Sequence, residues 1–311
     1  MTTMKAIQIH RYGTPDVMRY EDAPIPTPKR GEVLIRVHGA GVNPIDCKTR
    51  AGQGMAWKLG SRFPLIMGWD VAGVVETSDS PRFAPGDSVY GMLNFPELGA
   101  GYAQYAVANP LHIARAPDGI DLHSAAAVPL VALTAWQGLF EMGKLQAGQR
   151  VLIHAAAGGV GHIAVQLAKW KGAYVIGTAS DANFEYLAAL GVNHLIDYNK
   201  FRFEGQINQH VDLVLNTVSP DVSYRSLDLI KPGGRLVSIV GQAPTKRGIE
   251  TGWILVRPHP EQLAEIAQLI DARKLVPNIE RILPLSASVE AHRLVEGRHV
   301  RGKIVLDAMG D

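Results

Sequence analysis

Two hydrophobic rhythms divide the chain. Over the first 120 residues or so, apolar and polar positions alternate in short runs: KAIQI (5–9), EVLIRVHGAGV (32–42), DVAGVVE (70–76), DSVYGML (87–93) and YAQYAV (102–107). A period of two predicts half-buried strands. Turn signals such as PTPKRGE (26–32) and FAPGDSV (83–89) separate them. Together they predict a compact, mostly antiparallel, barrel-like domain. From His123 the rhythm changes. Residues 123–142 read as helix, with Ser124 as a candidate N-cap and Pro129 as a break. After it, continuous apolar runs alternate with helical stretches: VLIH (151–154), AYVIGTA (173–179), HLIDY (194–198), VDLVLNTV (211–218), GRLVSIV (234–240) and GWILVRP (252–258). Runs of this kind suit strands buried on both faces, so the pattern predicts a doubly wound parallel α/β sheet. A helix over EQLAEIAQLIDARKL (261–275), the run RILPL (281–285) and a last strand, GKIVLDA (302–308), follow. That last strand reads most simply as returning to the first domain. The expected division is 1–122 with 261–311 for the β-rich domain and 123–260 for the parallel sheet.

The most specific chemistry lies in VLIHAAAGGVGHIAVQLAKWKGAYVIGTAS (151–180), a strand, glycine turn, helix and strand. Its turn carries Ala156-x-Gly158-x-x-Gly161, a dinucleotide fingerprint with alanine in place of the first glycine. Set inside a βαβ unit of about 30 residues, the pattern points to a dinucleotide. Gly158 allows the backbone to approach a pyrophosphate, Gly161 allows close helix–sheet packing, and the N-terminus of the helix supplies N–H groups to the anion. The acid that reads an adenosine ribose is expected roughly 20 positions further on. That strand tip is Thr178-Ala179-Ser180-Asp181, with no acid at Ala179 itself. Ser180 leaves room for a 2′-phosphate, which favours NADPH, while Asp181 stands one step away and no Lys or Arg follows at 182–186. Tyr198 is a candidate phosphate partner or an ordinary strand-end aromatic.

Other candidates carry plainer alternatives. Asn43, in the turn after a strand, could bond a carboxamide or a substrate carbonyl, or could cap its own backbone. Lys48 could meet substrate or lie on a solvated loop. Thr134 could face a crevice or bond its own helix. Tyr102 could donate a proton, although alternation makes it equally a packing residue. His154, before the glycine turn, reads as structural.

The totals narrow the classes. A length of 311 residues with 47% hydrophobic and 19% charged residues suits a globular protein of two domains. A formal net charge of +2 argues for neither nucleic acid nor membrane partners. Cys47 is the single cysteine, which removes intramolecular disulfides and thiolate-rich metal sites. No metal-ligand spacing is found among the histidines. The opening MTTMKAIQIH lacks an apolar signal core and no run of 18 apolar residues exists, so the expected location is cytoplasmic.

With these residues in place, the chain resembles the medium-chain dehydrogenase/reductase superfamily from end to end, and most of all its zinc-free branch of NADPH:quinone reductases, zeta-crystallin-like proteins and alkenal or enone reductases. The resemblance is carried by GAGVNPIDCKTRAG (39–52), FPLIMGWDVAGVV (63–75), FAPGDSVYGM (83–92), AAAVPLVALTAWQGLF (125–140), GQRVLIHAAAGGVG (148–161), LGVNHLIDY (190–198), LIKPGGRLVSIVG (229–241) and GKIVL (302–306). It implies a Rossmann sheet with a GroES-like barrel and a homodimer formed through the edge of the parallel sheet. It implies that Asn43 approaches the nicotinamide or a substrate carbonyl and that Thr134 lies beside the nicotinamide. Gly158, Gly159 and Val160 would hold the pyrophosphate, Ser180 and Tyr198 the 2′-phosphate, and Val218 and Val240 would line the cofactor. Zinc members place a cysteine where this chain has Asn43 and a histidine where it has Trp69. The implied reaction is hydride transfer from NADPH to a quinone or enone without metal or flavin, with Lys48 or Tyr102 as proton donors. Two readings stand beside it: an alcohol dehydrogenase using an unrecognised metal, and a non-catalytic NADPH-binding sensor or scaffold.

Overall fold

The computed structural model describes residues 2–310. In chain order its elements are β1 (Thr3–Ile9), β2 (Met18–Pro24), β3 (Val33–Val42), α1 (Pro44–Arg50), α2 (Ala56–Leu59), β4 (Leu65–Ile66), β5 (Asp70–Ser78), β6 (Ser88–Met92), β7 (Tyr105–Ala108), β8 (Ile113–Arg115), α3 (Leu122–Ala126), α4 (Pro129–Trp136), β9 (Arg150–Ile153), α5 (Gly159–Trp170), β10 (Tyr174–Ala179), α6 (Phe184–Ala189), β11 (His194–Asp197), β12 (Val211–Asn216), α7 (Pro220–Ser226), β13 (Ile230–Ser238), β14 (Glu250–Trp253), α8 (Pro260–Asp271), β15 (Ile279–Pro284), α9 (Ser288–Glu296) and β16 (Lys303–Asp307). They form two compact units, one of Met1–Leu130, Arg257–Arg273 and Pro277–Asp311, the other of Val131–Val256 and Lys274–Val276. The chain therefore passes from the first unit to the second inside the stretch 123–142, between Leu130 and Val131. Pro129 breaks that stretch as expected and opens α4, and Asp121, not Ser124, caps α3 by accepting from the Ser124 N–H at 2.8 Å.

In the first unit the alternating runs become antiparallel strands. A seven-stranded sheet runs β15-β16-β3-β5-β6-β8 with β7 on β3, and a three-stranded sheet runs β2-β1-β4. The final strand does return here: β16 pairs antiparallel with β3, setting Ile304 opposite Val42, and parallel with β15. Inward positions of β3, β5 and β6 (Val33, Ile35, Val37, Val71, Val75, Val89) fill one core with Phe83 and Ile113. A second core gathers Ile7, Ile9, Met67, Tyr102, Ile304 and Leu306.

The second unit is the doubly wound sheet, in order β11-β10-β9-β12-β13-β14, all parallel. Its central strands are mostly apolar, as burial on both faces requires, and β12 (VDLVLN) is buried along its whole length, whereas the edge strand β14 (ETGW) has no buried residue. The expected strand over 252–258 is shifted: β14 ends at Trp253. Strand order reverses between β9 and β12, and at such a switch point the carboxyl ends of the strands leave a crevice.

The βαβ unit is locked by backbone contact. A Cβ on Gly161 would lie 2.2 Å from the Ala155 carbonyl oxygen and 2.8 Å from Ala156 backbone atoms. Gly161→Ala should therefore lower the thermal midpoint by on the order of 5 °C, in line with overpacking costs of about 1–3 kcal/mol. An unchanged midpoint in a melting curve would show that the turn has slack.

Candidate functional site

The glycine turn begins where β9 ends. His154 donates its N–H to Leu215 O at 3.1 Å, and its ring lies 3.2 Å from Thr178 Oγ1 and 3.0 Å from Ser226 Oγ. Because Ser226 gives its own hydroxyl proton to Val222 O, the imidazole donates through Nε2 and accepts at Nδ1. Burial pushes its pKa down to about 3, so the ring stays neutral and structural. Ala155 then turns with φ of 48°, and the N–H groups of Ala155 and Ala156 are bonded to Thr178. The alanine at the fingerprint's first position fits because Gly177 on β10 faces it: a Cβ there would lie 3.0 Å from the Ala156 Cβ.

Gly158 caps α5 in an extended conformation. Helix geometry leaves the N–H groups of Gly159, Val160 and Gly161 without intrahelical acceptors, at the positive end of a 12-residue helix. A Cβ on Gly158 would meet only the Ala155 oxygen, at 3.3 Å, so the fold itself does not need glycine there. The open face suits a pyrophosphate approaching the backbone, and these residues fit a dinucleotide.

Four further candidates emerge at the same carboxyl end of the sheet. Ser180 follows β10, Tyr198 follows β11 and is exposed, Val218 follows β12 and is exposed, and half-buried Val240 follows β13. Thr134 is buried in α4. Sequence reading missed Lys200, which meets Asp181 beyond β10; only the parallel pairing of Ala179 with Asp197 brings them together.

In the first unit Asn43 occupies a buried polar network. Lys303 Nζ donates to Val42 O at 2.7 Å and to Asn43 Oδ1 at 2.5 Å, and lies 3.9 Å from Asp70 Oδ2. Asn43 Nδ2 donates to Asp70 Oδ2 at 2.9 Å, while Asp70 Oδ1 accepts from the Leu130 N–H at 2.9 Å. The Asn43 N–H reaches Asp46 Oδ2 at 2.7 Å. Asp46 Oδ1 and the Tyr102 hydroxyl face one another, and neither makes a well-formed hydrogen bond among the described residues. Asn43, Asp46, Asp70, Tyr102 and Lys303 are all buried. Burial lowers the Lys303 pKa against the pull of Asp70 and Asp46, and raises Asp70 to about 6.

This geometry bears on two expectations, Asn43 and Tyr102, and favours the plainer alternative for each. The amide of Asn43 has its oxygen matched to a cation and its nitrogen to a carboxylate, so it joins a network and has little left to offer a substrate carbonyl or a carboxamide. Tyr102 is a core residue, packed edge-on to His292 with ring centroids 5.8 Å apart, and burial and the neighbouring Asp46 raise its phenol well above the usual range. Its full burial favours the packing alternative over a proton donor. Of the three catalytic candidates, only Lys48 on α1 is exposed.

A β-rich unit joined in one chain to a doubly wound parallel sheet with a glycine turn is the architecture of a nicotinamide-dependent dehydrogenase or reductase. Family models agree: residues 29–118 match the alcohol dehydrogenase GroES-like domain and residues 190–306 a zinc-binding dehydrogenase model. The chain is 32% identical to the mitochondrial NAD(P)H oxidoreductase RTN4IP1 of Danio rerio, over 100% of this chain and 92% of that one. It is 32% identical to a 2-methylene-furan-3-one reductase of Solanum lycopersicum, over 97% of this chain and 79% of the relative. The solved quinone oxidoreductase of Coxiella burnetii superposes with a TM-score of 0.92 at 38% identity, covering 98% of this chain and 99% of that one. The chain belongs to the medium-chain dehydrogenase/reductase family, and the relatives it resembles there include quinone oxidoreductases and NAD(P)H oxidoreductases.

The zinc named by one family model has no matching donor set. Among the described residues, no three His, Cys, Asp or Glu side chains converge. Asn43 is bonded to an ammonium, and buried Trp69 donates its indole N–H to Glu97 O at 2.6 Å. Cys47 is a buried thiol whose pKa is pushed up by burial.

Asn43→Ala leaves the buried Lys303 ammonium short of an acceptor, and should destabilise the protein by about 1–3 kcal/mol in denaturant titrations. A variant as stable as the parent would remove the network from the account. Burial also raises the Asp46 carboxyl from 3.8 to about 7, so the folded protein keeps a proton that the unfolded chain has released. Its contribution to stability is complete below pH 3.8 and is lost as pH rises through about 7. Unfolding measured across that window should show the parent losing stability relative to Asp46→Asn as pH increases; a constant difference would contradict the assignment.

Proposed function

We propose that this chain is an NADPH-dependent oxidoreductase that passes a hydride to a quinone or an α,β-unsaturated carbonyl, without metal or flavin. The observation that carries the reading is the occupant of the family's metal-ligand position. Asn43 stands there, tied to Lys303 and Asp70, and its partner position is Trp69. Without a Lewis acid to polarise it, an alcohol or a simple ketone is a poor partner. An acceptor that delocalises the incoming charge, as a hydroquinone anion or an enolate, needs none.

When bound, the nicotinamide supplies the hydride. The protein's own work is binding and orientation. Gly158, Gly159 and Val160 at the start of α5 would hold the pyrophosphate. Ser180 and Tyr198 would meet the 2′-phosphate, Val218 and Val240 would line the cofactor, and Thr134 would lie near the nicotinamide. Lys48 is the remaining candidate to donate a proton or stabilise the developing oxyanion. The reading includes a homodimer through the edge of the parallel sheet, and a cytoplasmic location. Among the described residues no helix is long and apolar enough to cross a membrane.

The decisive assay follows the absorbance of NADPH and NADH with a panel of quinones, alkenals and enones. Oxidation of NADPH in preference to NADH by at least one acceptor class supports the reading. Tight binding without turnover would favour a sensor. The zinc-binding family description favours an alcohol dehydrogenase, and stoichiometric zinc in the purified protein would establish that reading in place of ours. With an accepted substrate, Lys48→Met should lower turnover by roughly a hundredfold, the low end for a general acid, without shifting the thermal midpoint. Unaltered turnover removes Lys48 from the mechanism.

A further inference from the structure

The parallel pairing of β10 with β11 sets Ala179 beside Asp197, so the segments that leave the two strands emerge together. Ser180 and Asp181 leave β10, and Tyr198, Asn199 and Lys200 leave β11. Lys200 Nζ lies 2.6 Å from Asp181 Oδ2 and 3.5 Å from Asp197 Oδ2. Asn183 Nδ2 donates to Ser180 Oγ at 3.1 Å. Asp197 is buried and anchored, accepting from the Asn199 N–H at 3.0 Å. Asp181 and Lys200 are 57% and 60% exposed, and an ion pair so exposed to water is exchanged cheaply.

The tip of this strand is where the fold reads the adenosine ribose. A carboxylate there suits two neutral hydroxyls; a cation suits a 2′-phosphate. The usual place for the cation, 182–186, is Ala-Asn-Phe-Glu-Tyr and holds none. This chain has both chemistries, drawn from different strands and bonded to one another. A 2′-phosphate brings more negative charge than Asp181 and competes with it for Lys200. A ribose 2′-hydroxyl leaves Lys200 where it is and bonds Asp181.

We infer that Asp181 and Lys200 form one specificity device, Lys200 serving the 2′-phosphate of NADPH and Asp181 the free ribose of NADH, so that each residue limits the preference the other creates. The inference rests on the proposal that a dinucleotide binds at the glycine turn. It deepens that proposal by naming the residues that choose between the two cofactors.

The test is calorimetric titration of the intact protein with NADP+ and with NAD+, read as dissociation constants and independent of any acceptor. Lys200→Gln should weaken NADP+ by about tenfold, the order expected for one charge-assisted hydrogen bond, and leave NAD+ within about twofold. Asp181→Asn should act in the opposite sense, tightening NADP+ several-fold and weakening NAD+. Lys171→Gln removes an equal charge at the far end of α5 and should change neither constant, which separates a local contact from net charge. If both dinucleotides bind the parent but neither variant alters their ratio, the specificity device is wrong and the nucleotide site stands. If neither dinucleotide binds the parent protein, the nucleotide reading and this inference fall together.

Discussion

Burying an ammonium costs several kcal/mol unless acceptors surround it, and the first unit is organised around that requirement at Lys303. Its acceptors come from places far apart in sequence. Val42 O and Asn43 Oδ1 lie at the end of β3, and Asp70 opens β5. The register of three strands must agree for these atoms to coincide: Ile304 opposite Val42, and Gly41 opposite Asp70. A slip of one residue in any of them would leave a buried charge without a partner, which is a far larger penalty than a lost apolar contact. The ammonium also decides which way the Asn43 amide points, since its oxygen must face the cation and its nitrogen the carboxylate.

The second unit depends on distance rather than charge. Gly161 lets α5 sit against the turn, and the room that the fingerprint's first glycine would supply has moved across the sheet. Ala156 fills the turn, and Gly177 on β10 makes way for it. The fingerprint's space is thus shared between the turn and the neighbouring strand β10, which explains how the turn keeps its shape with alanine in place. Gly158 is different in kind. The fold leaves space around it, so packing alone does not require a glycine there, and the proposed pyrophosphate contact would.

The sequence made most of this fold legible because each unit has a single dominant period. Alternation marked the barrel strands, and apolar runs marked the parallel ones. Boundaries were harder where caps competed: Ser124 has the right chemistry for an N-cap, yet Asp121 lies one residue outside α3 and takes the role. At the site, local features were readable and long-range ones were not. Gly158 and Gly161 act within a few residues of one another, so their spacing carries their meaning. Lys303 is 260 residues from Asn43, and nothing in GKIVL distinguishes a buried partner from a surface lysine. Lys200 was hidden for the same reason, its neighbour being defined by strand register. Tyr102 shows the limit of residue type as a guide: the alternation that marked it as a packing residue was the better predictor of its place.

These constraints bear on the chemistry through what the buried cation has left to give. An ammonium has three N–H groups. Two are engaged by Val42 O and Asn43 Oδ1, and the remaining direction is balanced by Asp70. A metal at such a position would keep a coordination site open for an oxygen ligand; Lys303 has its donors already directed inward. It serves as a structural charge and not as an electrophile. On the proposed hydride transfer, the stabilisation of the anion would fall to the acceptor's own electronic structure and to groups outside this network. That division of labour argues for quinones and enones over simple carbonyls, from the strand register upward.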